Sequence, residues 1–169
     1  MKISLSRIKL SVLPGLSEDG TPVLEGKSHE HRKDIFGSHT TRGIFYGSAY
    51  PIRSVRSSTY KYIRNLNPEG KFTNLITEES GLVGWSSWFE KAAFDEIAVE
   101  RIKLYQHRPA EELYDLSLDP YELNNVAYKA EYREILNELR AQLDQWMKQQ
   151  GDRGLEGELA VKARGGLSQ

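Results

Sequence analysis

The sequence has no cysteine among its 169 residues. Disulfides, thiolate catalysis and cysteine-ligated zinc are therefore excluded for this chain. It also lacks any apolar run near the roughly 18 residues that a membrane-spanning helix needs. The opening stretch, Met1 to Pro14, places Lys2, Arg7 and Lys9 among its apolar residues. Those charges interrupt any hydrophobic core of a leader, so no signal peptide is read there. A strong net charge is missing too: 23 basic residues against 24 acidic ones leave −1. The chain as a whole thus has no electrostatic pull toward nucleic acid or an anionic membrane, and neither is expected as a partner.

Acidic residues are absent from one long stretch. Between Asp34 and Glu69 none occurs, while Arg42, Arg53, Arg56, Lys61, Arg64 and four tyrosines do. From Asp95 to Asp144 the chain is acid-rich. The basic stretch can face an anionic ligand or pair with the acidic segment.

Residues 1–33 read as a loop-rich lead-in, with Pro14-Gly15, Asp19-Gly20, Pro22 and Gly26 as turn signals. A short strand is expected at Asp34–Phe36, then a Gly/Ser/Thr-rich loop from Gly37 to Gly47. Ile52–Arg56 and Tyr60–Leu66 are rich in β-branched and aromatic residues. Separated by Ser57, Ser58 and Thr59, they predict an antiparallel hairpin. Trp85, Trp88, Phe89 and Ala92 fall at helical spacing within 78–93. A second helix is expected over 95–106, capped by Asp95, with Ile97, Arg101 and Leu104-Tyr105 toward one face. Glu112–Leu116 alternates as a strand does. Asp119-Pro120-Tyr121-Glu122 has the pattern of a helix start: a capping carboxylate, proline at the first position and glutamate at the third.

The longest helix expected runs from about Lys129 to Gln150. Tyr132, Ile135-Leu136, Leu139, Leu143 and Trp146-Met147 form one apolar stripe at steps of three and four. Arg133, Glu134, Glu138, Arg140 and Lys148 occupy the other side, and Gly151 ends the helix. Such a stripe has to cover something, and the hairpin plus the Glu112 strand supply a sheet. The fold class that follows is α+β: a small antiparallel sheet of three or four strands under a long C-terminal amphipathic helix. Residues 152–169, short of large apolar side chains, read as a mobile tail.

Several of these segments resemble one family. Tyr50-Pro51-Ile52-Arg53-Ser54-Val55-Arg56 and Tyr60-Lys61-Tyr62-Ile63-Arg64-Asn65-Leu66-Asn67 resemble the C-terminal hairpin of sulfatases, within them the N-sulfoglucosamine sulfohydrolase (heparan N-sulfatase) branch and its bacterial relatives. Arg108-Pro109-Ala110-Glu111-Glu112-Leu113-Tyr114-Asp115-Leu116 and Asp119-Pro120-Tyr121-Glu122-Leu123-Asn124-Asn125-Val126-Ala127 resemble the strand and turn that follow. Gly37-Ser38-His39-Thr40-Thr41-Arg42-Gly43 resembles the loop entering the region. The resemblance covers roughly 24–157, and its specificity lies in the ordered series.

The resemblance implies a subdomain at 34–151 that packs beside a larger α/β domain, with 1–33 a remnant of that domain. It implies hydrolysis of sulfate esters or sulfamates in the complete enzyme, and a periplasmic or extracellular location. Members make a formylglycine from Cys or Ser in Cys/Ser-x-Pro/Ala-x-Arg and bind calcium. Here no serine begins that pattern; Ser48-Ala49-Tyr50-Pro51-Ile52-Arg53 has the wrong spacing. Formylglycine and calcium are thus expected only in the absent N-terminal domain, with no cofactor and no catalytic or metal-binding residue in this chain, which is expected to be inactive alone. The partners implied are that N-terminal domain and a sulfated saccharide.

His39 and Arg42 are the candidate substrate-binding residues, because the resemblance brings their loop toward the active-site mouth and a guanidinium suits a sulfate. The bland alternative is a solvated loop. Arg53, Arg56 and Arg64 are expected to pair with carboxylates. His29-x-His31 lacks further converging ligands for zinc. Trp146 and Trp88 are expected in the core, and Trp85 is left open between core and sugar stacking. The alternative function is a non-catalytic module binding sulfated glycan or another anionic polymer through the basic hairpin. A purely structural interaction protein is a third reading.

Overall fold

The computed structural model describes residues 21–29, 32–40, 49–73 and 84–163. The chain divides into two compact units, Met1–Lys33 and Asp34–Gln169. In the first, the described residues form one exposed helical turn, α1 (Thr21–Leu24), closed by Gly26 at φ +70°. That left-handed conformation carries little steric cost only for glycine.

The second unit is built on a four-stranded antiparallel sheet. Its strands are β1 (Ile35–His39), β2 (Ile52–Arg56), β3 (Tyr60–Asn65) and β4 (Glu111–Asp115), in the order β1-β2-β3-β4. The predicted hairpin forms with Val55 opposite Tyr62. Its turn is fixed by Ser57, whose Oγ accepts from the Tyr60 amide at 2.9 Å and the Thr59 amide at 3.2 Å. The first strand is longer than the sequence suggested, because Gly37 and Ser38 pair with Ser54 and Arg53. Asn125 covers part of the free edge of β4: its Oδ1 accepts from the Leu113 amide and its Nδ2 donates to the Glu111 carbonyl, each at 3.0 Å.

Alternation along the strands sorts the two faces. Phe36, Val55, Tyr62 and Leu113 point one way, and the striped helix α4 (Arg133–Gln149) lies over them. Leu136, Leu139 and Leu143 are its buried residues. Trp146 stacks on Phe36 at 5.2 Å with the rings 4° from parallel. Each fully buried Leu contributes roughly 1.5–3 kcal/mol of transfer free energy, so this stripe is the main hydrophobic attachment of the helix. The fold class is α+β, as the periodicities imply.

The opposite face carries Ile63 and Asn65 on β3 and Glu112 and Tyr114 on the edge strand β4. Between β3 and β4 the chain forms two helices, α2 (Trp85–Ala92) and α3 (Glu96–Gln106). Asp95 caps α3, its Oδ1 accepting from the Ile97 amide at 2.9 Å and from Ala98 at 3.4 Å. The buried residues of α3 are Ala98, Ile102 and Gln106, with Ile97 turned out. The inner face is thus rotated from the one the apolar spacing suggested, because Ile102 and Tyr105, not Ile97, meet neighbours.

Three further expectations are corrected. Asp119-Pro120 starts no helix. Asp119 Oδ2 accepts from the Asn124 amide at 2.7 Å, closing a turn, and Glu122 sits at φ +56° with its carboxylate on Arg56 and Lys61. Two cations draw the glutamate away from the capping position. Trp88 is 47% exposed, whereas Trp85 is buried among Phe89 and Tyr105. Lastly, residues 152–163 do not run free. Residues Leu155–Ala163 form α5, and Asp152 and Glu158 bind Arg53, which is 3% exposed. Anchorage there is ionic, so a scan for large apolar residues passes over it.

Candidate functional site

Of the two predicted substrate contacts, the structure describes one. His39 ends β1 opposite Ile52, on the sheet face away from α4. Its carbonyl accepts from Arg53 Nη1 at 2.8 Å, and its ring lies 5.5 Å from that of Phe72. Nε2 is buried with no hydrogen-bond partner among the described residues. Burial above all lowers the imidazole pKa below its ordinary value. The charges of Arg108 and Arg53 act the same way, and Glu158 opposes them. His39 is therefore neutral at pH 7 and can offer a sulfate an N–H but not a charge. Arg42 lies outside the described residues, as does His31 of the His-x-His pair.

The hairpin cations are engaged by carboxylates. Arg53 Nη2 donates to Asp152 Oδ1 at 3.1 Å, with Nε on Oδ2 as well. Arg56 donates to Glu122 at 2.8 Å, and Lys61 binds the other oxygen of the same carboxylate. Arg64 reaches Asp144 on α4. Glu111 of β4 accepts both Nε (2.7 Å) and Nη2 of Arg140 and the Tyr62 hydroxyl at 2.6 Å. This last network joins β3, β4 and α4 and holds the Glu111 carboxyl below its usual range, chiefly through Arg140. The predicted pairing of Arg53, Arg56 and Arg64 is present, and it leaves the hairpin little free positive charge.

Free cationic character is found on the other side of the sheet. A cavity of about 300 Å³ lies between β3–β4, α3 and the turn after β4. Lys61, Arg101 and Arg108 line it together with Trp88, Tyr105 and Tyr121, against two carboxylates, Glu112 and Glu122. Glu112 is buried, accepting from Asn65 Nδ2 at 2.7 Å and from the Tyr114 hydroxyl. Burial foremost, and then this carboxylate, push the Tyr114 phenol far above its ordinary pKa. Arg108 lies over the rings of Phe72 (4.9 Å) and Tyr105 (5.3 Å), a cation–π arrangement. Its Nε is buried without a hydrogen-bond partner among the described residues. Sequence reasoning placed Arg101 on a helix and Arg108 before a strand, but nothing local signals that the two converge.

There is no cysteine in the sequence, and among the described residues no group of three or more His, Asp or Glu could hold a metal.

An ulvan-active sulfatase of Formosa agariphila is 34% identical over 131 residues, covering 78% of this chain and 24% of that protein. This chain is sulfatase-related. Human N-sulphoglucosamine sulphohydrolase is 27% identical over 126 residues, covering 66% of this chain and 22% of its own length. The match is that of a sulfatase C-terminal region, and the chain spans about a quarter or less of the curated relatives it matches. Among solved structures, a Bacteroides thetaiotaomicron sulfatase structure aligns over 78% of this chain and 19% of its own, at 24% identity and TM-score 0.47. No protein-family model matches.

Proposed function

We propose that this sulfatase-related chain works as the non-nucleophilic part of a hydrolase that cleaves sulfate esters or sulfamates of saccharides. In that role it supplies a wall beside the substrate rather than the reacting groups. The observation that carries this reading is chemical. A sulfatase-related segment of 169 residues has no Cys and no Ser in Cys/Ser-x-Pro/Ala-x-Arg. Without a formylglycine precursor there is no activated nucleophile to attack sulfur. The partner is then the metal- and formylglycine-bearing part of a sulfatase, in the periplasm or outside the cell. The saccharide is of the class that its relatives are named for, ulvan or N-sulphoglucosamine.

His39 and Arg42 remain the proposed substrate contacts, with neutral His39 donating Nε2–H or Nδ1–H to a sulfate oxygen. Supporting the first of these is the unsatisfied Nε2 at the end of β1. The basic hairpin offers weaker support for a free-standing polymer-binding module, since Arg53, Arg56, Lys61 and Arg64 are each held by a carboxylate.

The test is turnover. The purified chain, with and without added calcium, is incubated with 4-nitrophenyl sulfate and with N-sulfoglucosamine. No sulfate release is expected, and release above the buffer rate overturns the reading. In a complete enzyme containing this region, His39→Ala is expected to raise KM severalfold with little change in kcat.

A further inference from the structure

Three features of the cavity beside α3 point to one ligand chemistry. The first is charge without a partner. Of its three cations, Lys61 is held by Glu122, but Arg101 makes no ion pair or hydrogen bond among the described residues. Arg108 has its guanidinium on aromatic faces and its buried Nε unsatisfied. Of the two carboxylates, Glu112 is already covered by Asn65 and Tyr114, and Glu122 by Arg56 and Lys61. Among the described residues the cavity therefore has two guanidinium groups outside any ion pair, while both oxygens of each of its carboxylates already accept a hydrogen bond. A planar guanidinium fork is the side chain best shaped for two oxygens of a sulfate or carboxylate.

The second feature is the rim. Tyr121 is 81% exposed and Trp88 47% exposed, although both line the cavity. Large aromatic faces left in water beside polar groups are placed to stack on a ring that has one apolar and one polar side. The third feature is size. About 300 Å³ is the lower end of the range for small-molecule sites, room for one or two sugar rings.

We infer that this cavity binds a pyranose ring bearing a single anionic substituent, sulfate or carboxylate, with Arg101 and Arg108 on the anion and Trp88 or Tyr121 against the ring. The inference goes beyond the hydrolytic reading and does not need it, because the binding uses only residues of this chain. Lys61, tied to Glu122, shapes the floor rather than holding the ligand.

Calorimetric titration of the purified chain tests this with four probes: N-acetylglucosamine 6-sulfate, glucuronic acid, neutral N-acetylglucosamine and inorganic sulfate. At least one charged sugar is expected to bind saturably, tenfold or more tighter than both the neutral sugar and the bare ion. The ratio of the two charged sugars identifies which anion the cavity prefers. Arg101→Gln is expected to weaken binding about tenfold and Tyr121→Ala severalfold, with unchanged melting temperatures since neither side chain supports the core. Absence of saturable binding overturns the inference. So does sulfate ion binding as tightly as the sulfated sugar, or binding that Arg101→Gln leaves unchanged. Sulfate release by the chain would instead fail the hydrolytic reading and leave this one standing.

Discussion

Arg53, buried in the middle of the hairpin, binds Asp152, which lies 99 residues further along the chain and just past the end of α4. One guanidinium thereby links the sheet, the C-terminus of the long helix and, through Glu158, helix α5. Asp152 also accepts from the Gly154 amide at 2.8 Å, so it shapes the turn into α5. Breaking a buried pair from one side strands the remaining charge, which costs more than the pair itself is worth. Asp152→Ala is expected to destabilise the unit by about 3 kcal/mol, read from urea denaturation. Limited proteolysis should at the same time cut after Gly151 in the variant and not in the parent. An unaltered midpoint would show that the ion pair is dispensable.

The same carboxylate sets an acid limb. Hydrogen bonding to Arg53, more than the opposing burial, lowers the Asp152 pKa below the usual aspartate value. A depressed folded pKa means stability that is present above the unfolded pKa and is lost as pH falls through the folded one. The denaturation midpoint should therefore fall as pH drops below about 4, the ordinary aspartate range. In Asp152→Asn the fall should be shallower over the same range.

Alongside the Tyr114 phenol, Tyr62 contributes to the alkaline limb. It is fully buried, and burial foremost, then the neighbouring Glu111 carboxylate, push its phenol up to about 12. A raised folded pKa gives stability that is intact below the unfolded value near 10 and is lost as pH rises through the folded value. Unfolding free energy should decline between about pH 10 and pH 12, by on the order of 2–3 kcal/mol from this group. Tyr62→Phe removes the titration and the hydrogen bond to Glu111. It should lower stability at pH 7 by about 1–2 kcal/mol and flatten the limb above pH 10. An equally steep limb in that variant would place the alkaline transition on another group.

The elements legible in the sequence were those written in local patterns. The stripe from Tyr132 to Met147 repeats every three or four residues, and the hairpin alternates on both sides of Ser57-Ser58-Thr59. Asp95 sits one residue before α3, so its capping role can be read from neighbours alone. The features missed depend on distant partners. Glu122 has the spacing of a capping glutamate, yet Arg56 and Lys61, far back in the hairpin, claim its carboxylate. Trp85 and Trp88 are three residues apart on one helix face, and only the approach of Tyr105 decides which is buried. Asp152 and Glu158, just after Gly151, are held by Arg53 far back in the hairpin, an anchorage that no local apolar pattern announces. The cavity is the extreme case: Arg101 and Arg108 line one cavity only because α3 folds back against β3 and β4, a fact that no spacing records. His39, by contrast, was picked out by resemblance alone, and its unsatisfied nitrogen became visible only with the fold.

Gly151 offers a test of backbone conformation free of packing. It lies at φ +64°, and an added Cβ would meet nothing within 4 Å. Any cost of Gly151→Ala therefore comes from the left-handed conformation itself, about 1–2 kcal/mol. Asn tolerates that region better, so Gly151→Asn should cost less than Gly151→Ala. Thermal melts of the two variants decide it; equal losses would mean that the helix terminus has rearranged.

Two substitutions on opposite faces of the sheet distinguish core from rim. Leu143 is fully buried between α4 and the strands, while Trp88 is half exposed at the cavity mouth. Size alone would make the tryptophan the costlier loss. Burial reverses the order, since truncation is felt through the cavity left behind and the contacts removed, and a rim side chain leaves no enclosed cavity. Leu143→Ala should cost about 2–5 kcal/mol, and Trp88→Ala no more than about 1 kcal/mol. Urea midpoints of both variants measure the difference. If Trp88→Ala proved as damaging as Leu143→Ala, the indole would belong to a second core on the face opposite α4, and it would not be available to stack on a sugar.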